Sequence, residues 1–190
     1  MKRPKSRVSV LALAAVGLGA VAAAGLAFAA RPGRNAHVPQ PAKAVDIDRY
    51  AGRWFELGRY DNRFEHDCEG VTADYAKRSD GLIEVINTCH DKAPDGPTRT
   101  SRGRAKIVPG SNGAKLKVSF FGPFFVGDYW VLDHADDYAW SIVGGGSGRF
   151  LWLLSRVPAP PAAFRADLIR RAAALGYDPA AIRETRQLPP

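Results

Sequence analysis

The residues of this 190-residue chain whose types and spacing could do chemistry are two cysteines, four histidines and one glycine-rich run. His66-Asp67-Cys68 and Cys89-His90-Asp91 are near mirror images, and two His with two Cys is a donor set that can hold zinc. The spacing is unlike the usual ligand pattern, because one residue separates His from Cys in the first arm and none does in the second. The other reading is a disulfide. Cys68 and Cys89 flank a hairpin whose turn falls near Asp80, and antiparallel pairing about that turn brings them together at the hairpin's open end. In an oxidising compartment the two thiols would pair and tie the first long loop to the neighbouring wall. The disulfide is the expectation, with no metal site.

Other catalytic signatures fail. Ser147 lies in Gly144-Gly145-Gly146-Ser147-Gly148, but Arg149 stands where the closing glycine of a nucleophile elbow belongs. No lysine follows these glycines in a strand-to-helix context, so they are neither a phosphate loop nor a dinucleotide fingerprint. His37, His66, His90 and His134 are scattered, and no triad or His/carboxylate cluster is legible. Arg102, Arg104 and Lys106 recur every second residue, as on the solvated face of a strand, without the interleaved aromatics of a nucleic-acid platform. No cofactor, no nucleic acid and no enzymatic activity are expected.

What, then, do the elements position? Lys2, Arg3, Lys5 and Arg7 precede a charge-free run from Val8 to Phe28, and Ala27-Phe28-Ala29 supplies a small-x-small cleavage pattern. Residues 1–29 read as an export signal; left uncleaved, the run is long enough to anchor the chain in the inner membrane. The signal contains no lipoprotein cysteine. Residues 30–44, with Pro32, Gly33, Pro39 and Pro41, read as a flexible linker to a domain at 45–187. Removing the signal halves the formal charge from +8 to +4, and 46% hydrophobic with 24% charged residues excludes wholesale disorder.

From Val45 onward, short apolar stretches alternate with turn signals. Strands are predicted at 53–60, 71–78, 82–89, 98–108, 114–121, 128–133, 138–144 and 150–156. Short connections between them point to an all-β fold, an eight-stranded up-and-down antiparallel barrel with no exposed edge. Leu116, Val118 and Phe120 share one face; Phe150, Trp152 and Leu154 share another, while Leu151 and Leu153 make the opposite face apolar and demand outside cover. One C-terminal helix supplies it: Pro161 opens it, Phe164, Leu168 and Leu175 recur near helical spacing, and Gly176 stops it. A short final strand is predicted within 181–187.

Gly52-Arg53-Trp54 in the stretch from Asp46 to Arg59, and Leu151-Trp152-Leu153-Leu154-Ser155-Arg156, resemble the first and last motifs of the lipocalins. The segments from Ala114 to Phe124 and from Asp128 to Asp133 resemble those of the bacterial outer-membrane and apolipoprotein D-like branch. The family's middle motif survives only as the degenerate Asp133-His134-Ala135-Asp136-Asp137-Tyr138, and no role is carried over to it. The resemblance implies a carrier of a small hydrophobic ligand such as a fatty acid or lysophospholipid, exported to the periplasm or the outer membrane. Gly52, Trp54 and Arg156 would close one end, with the guanidinium over the indole. Strand parity then points Tyr75, Val85, Leu116, Val118, Phe120, Tyr129, Phe150, Trp152 and Leu154 into the cavity, with the Tyr129 hydroxyl near the mouth. Phe121, Phe124 and Phe125 belong to a loop expected at the mouth, folded over the cavity or meeting a membrane surface. Two alternatives stand beside the carrier. A lipocalin-type enzyme would need a reactive thiol or an acid/base pair in the lumen, and an envelope interaction module would have a filled barrel.

Overall fold

The structure, a computed structural model, describes residue 35 and residues 37–188. The export segment read at 1–29 lies outside the described residues. Eight strands follow one another: β1 (Gly52–Tyr60), β2 (Cys68–Lys77), β3 (Ile83–Asp91), β4 (Thr98–Ile107), β5 (Lys115–Ser119), β6 (Gly127–His134), β7 (Trp140–Gly144) and β8 (Leu151–Ser155). Each pairs antiparallel with the next, and β1 pairs with both β8 and β2, which closes the barrel. A short helix α1 (Ile47–Tyr50) precedes β1, and α2 (Ala162–Ala174), a 3₁₀ turn (Pro179–Ala181) and β9 (Ile182–Glu184) follow β8. The all-β barrel with one outer helix and a short final strand is therefore the architecture of the chain.

The apolar outer face of β8 has the cover it needs. Leu57, Tyr60, Leu151 and Leu153 pack with Leu168 and Ala172 of α2. Leu168 is fully buried there, worth roughly 1.5–3 kcal/mol. Pro161 stands at the helix N-cap, and Gly176 beyond its end takes a positive φ of 90°.

The ring is paired unevenly at two places. β1 shifts register between Glu56 and Gly58; before the shift it pairs with β2, and after it with β9. The C-terminal residues fill the resulting gap, with Thr185 N–H donating to Leu57 O and Gly70 N–H to Arg186 O. The Gln187 amide adds bonds to the carbonyls of Glu56 and Val71. The second place departs from the edge-free ring expected. β5 ends at Ser119, because Gly122 turns the chain with a φ of 62° and Pro123 has no N–H to give a ladder. Only Arg104–Ile107 of β4 pair with β5, so Thr98 to Gly103 are bonded on the β3 side alone.

Inside the stretch read as a linker, Asn35, Gln40, Ala42, Lys43 and Ala44 are hydrogen-bonded to the folded domain. Asn35 N–H donates to Gly148 O at 2.7 Å and its side-chain amide to Leu175 O at 2.8 Å. Ala42 N–H reaches Leu132 O at 3.0 Å, and the Lys43 ammonium reaches Asp136 at 2.8 Å.

Candidate functional site: a cavity closed at one end

One end of the barrel is sealed by aromatic and cationic side chains. Trp54 is 0% exposed and donates its indole N–H to Tyr50 O at 2.9 Å. The Arg156 guanidinium lies 3.8 Å from the indole centroid and donates to the carbonyl oxygens of Arg53, Arg49, Tyr50 and Ala51 at 2.7–3.1 Å. Gly52 has a φ of 91°, and a Cβ built there would lie 3.5 Å from Arg156 Nη1. The three residues expected at the closed end thus meet there. The degenerate middle motif joins them: Tyr138 OH accepts from Asp46 N–H at 2.8 Å, its ring stacks on His134, and Arg49 lies 4.6 Å from its centroid.

Above this seal is a cavity of about 500 Å³, within the common range for small-molecule sites. Tyr75, Val85, Leu116, Val118, Phe120, Tyr129, Phe150, Trp152 and Leu154 all stand on its wall. Ile47, Tyr50, Ile83 and Ala105 extend the apolar lining. The Tyr129 hydroxyl is at the floor rather than near the mouth. It bonds Tyr50 OH at 2.9 Å and Tyr75 OH at 3.0 Å, and Tyr50 OH continues to Ser141 Oγ at 3.0 Å. Parity gave its direction correctly but not its height, since β5 is only five residues long and the wall on this side is low. Burial pushes the Tyr50 phenol up to about 12 and raises those of Tyr75 and Tyr129 as well, so all three are neutral. Their hydroxyls satisfy one another and present an uncharged floor.

The side wall holds a polar group of residues absent from the sequence reading. Glu56 is 2% exposed and lines the cavity. Its Oε1 accepts from Arg59 Nη1 at 2.7 Å and from the Thr185 hydroxyl. Arg59, fully buried, also donates to Glu65 O and Cys68 O, while its Nε–H has no partner among the described residues. Burial, aided by the charge of Glu65, raises the Glu56 carboxyl to about 7 against the pull of Arg59. Glu65, another lining residue, accepts the Trp152 indole N–H at 2.9 Å. Glu56 sits two residues past Trp54 on one strand, so the same parity that points Trp54 inward marks this carboxylate as buried.

At the open end Cys68 and Cys89 form a disulfide with a Cα–Cα distance of 5.3 Å. Both thiols are consumed, which removes the zinc reading; His66 pairs with Asp67 and His90 meets Gly96 O. Phe150 stacks on Trp152 and lies 5.5 Å from the ring of Phe64. The three loop phenylalanines divide. Phe121 lines the cavity, Phe124 is exposed and stands outside the lining, and Phe125 packs on the outer side beneath Arg104 and Lys106.

An eight-stranded antiparallel barrel sealed at one end by a Trp–Arg stack, with one apolar chamber above the seal, defines the class of single-chamber binding barrels. The chain belongs to the lipocalin family: the model for the lipocalin-like domain matches residues 45–187. It is similar to the outer membrane lipoprotein Blc of Escherichia coli strain K12, 38% identical over 147 residues that cover 74% of this chain and 81% of that protein. Apolipoprotein D of Mus musculus is 34% identical over 132 residues, covering 66% of this chain and 67% of the relative. Among solved structures, insecticyanin of Manduca sexta shares the fold with a TM-score of 0.63 at 20% identity, over 83% of this chain and 88% of that one.

Proposed function

We propose that this protein is a carrier that binds one small hydrophobic ligand with an acyl chain in the barrel cavity. The observation that carries the reading is the cavity itself. Its floor is apolar and uncharged, and the tyrosine hydroxyls there already bond one another, so nothing at the bottom asks for a polar head. Arg63 and Arg99 lie on the lining nearer the open end. A fatty acid or lysophospholipid therefore enters tail first, and its anionic group stays near these cations. Glu65 on the side wall disfavours the reverse orientation, which would draw a carboxylate or phosphate past it. The role is binding rather than catalysis: the cysteines are paired, and Glu56 is engaged with Arg59 and Thr185.

The place of action is the cell envelope. The basic start and long apolar run of residues 1–29 support export, and relatives in Escherichia coli and Vibrio cholerae carry the name outer membrane lipoprotein.

Filling the lumen tests the assignment. Val118→Trp places an indole in the cavity, and titration with a fluorescent fatty acid reads the result. The expected loss is at least about tenfold in affinity with the melting temperature held within a few degrees. Unchanged affinity would place the ligand elsewhere.

A further inference from the structure

The barrel wall is open on one side. Among the described residues, Thr98 to Gly103 of β4 have no strand partner toward β5, and the residues at 98–102 are exposed. Across the gap stands the loop at 120–126. The cavity is lined from both lips: Arg99 and Ser101 on the strand, and Phe120, Phe121 and Val126 on the loop. Gly103 keeps the base of the seam narrow, since a Cβ there would lie 2.8 Å from the Phe120 ring.

The chemistry of the lips identifies what they face. Phe121, Phe124 and Val126 are 89%, 72% and 82% exposed, three large apolar side chains within six residues of chain. Beside it Arg104 and Lys106 stand over the Phe125 ring, 5.8 and 4.9 Å from its centroid. Arg104 holds Gly122 O at 3.0 Å, fixing the loop against the strand. Among the described residues neither cation has a carboxylate partner, whereas Arg99 and Arg102 on the same strand answer Asp91 and Glu84. Insertable aromatic side chains with uncompensated cations directly beside them match the two layers of an anionic bilayer, acyl chains below and phosphates above.

We infer that the seam between β4 and the loop at 120–126 is a lateral portal that lies against an anionic lipid surface. The acyl chain passes sideways between membrane and cavity without crossing water. The route rests on the carrier reading for its cargo, but the surface contact does not.

The test is transfer of a fluorescent fatty acid from the loaded protein to phosphatidylcholine vesicles made with or without phosphatidylglycerol. The expected transfer rate rises with vesicle concentration and phosphatidylglycerol content and falls with salt. Phe124→Ser, and separately Arg104→Gln with Lys106→Gln, lower it by about tenfold or more, since each cation near an anionic surface contributes about fivefold. None of these side chains lines the cavity, so affinity for the free fatty acid in vesicle-free buffer stays within about twofold. Arg149→Gln, on the β7–β8 loop at the top rim, leaves the rate unchanged. A rate indifferent to vesicle concentration and composition would overturn the portal, and so would an equal loss in Arg149→Gln, which would put the contact at the rim. If the fatty acid fails to bind in buffer, the carrier reading falls. Co-sedimentation of the protein with the same vesicles then decides the contact, and equal pelleting with and without phosphatidylglycerol would overturn it.

Discussion

Arg156 does two jobs with one guanidinium, satisfying four carbonyl oxygens of the chain around α1 and covering the indole of Trp54. Trp54→Ala removes the packed ring and the cation–π contact together, a loss of about 3–5 kcal/mol from the cavity left behind. In a domain of this size that lowers the melting temperature by about 10 °C, measurable by calorimetry. Glu56 gives a second prediction at this scale. Burial holds its proton in the folded state up to about 7, above its ordinary value of 4.5. The stability this contributes is full below about pH 4.5 and is lost as pH rises through 7. The melting temperature should therefore decline from pH 5 to pH 8, and Glu56→Gln should flatten that decline. A profile that stays the same in the variant would assign the titration to another group. Sequence reasoning found Trp54 and Arg156 because motif and parity agree on them. It missed Arg59 and Thr185, whose meeting depends on a bulge in β1 and on a chain end 126 residues away.

Elements were legible wherever alternation or turn chemistry is strong, as in β8 with its doubly apolar faces and α2 beneath the outer one. They were less legible where a strand stops early. Residues 114–121 alternate well enough to predict a long strand, yet Gly122 and Pro123 end β5 at Ser119, and half of β4 loses its neighbour. Tyr138, predicted as the start of a strand, instead takes a φ of 62° at the closed end, and β7 begins at Trp140. The β2–β3 hairpin was readable to the point of its disulfide, because register fixes which residues can meet. Closing a loop across a sequence separation of 21 residues stabilises the fold by about 3 kcal/mol through the entropy of the unfolded chain. Cys68→Ser with Cys89→Ser should lower the melting temperature by about 6–12 °C, and reduction of the native protein should do the same. An unchanged transition would show that the unfolded chain gains little from being cut free.

At the scale of the whole molecule the formal charge of +8 separates into parts with different meanings. Half belongs to the segment read as an export signal. Of the rest, Arg99 and Arg102 are matched by nearby carboxylates, whereas among the described residues Arg63, Lys92, Arg104, Lys106, Lys115 and Arg149 are not, and of these Arg104 and Lys106 stand beside the loop that carries the exposed phenylalanines. The hydrophobic residues separate in the same way, into the core beneath α2, the seal around Trp54 and the cavity wall. What parity could not state is whether the inward side chains fill the barrel or line it, since an eight-stranded barrel is at the size where both occur. Native mass spectrometry of the purified protein, before and after extraction with organic solvent and again after addition of a long-chain fatty acid, tests the central claim most directly. The account predicts a complex with one lipid per chain, lost on extraction and restored by the fatty acid. A single ligand-free mass under all three conditions would contradict it.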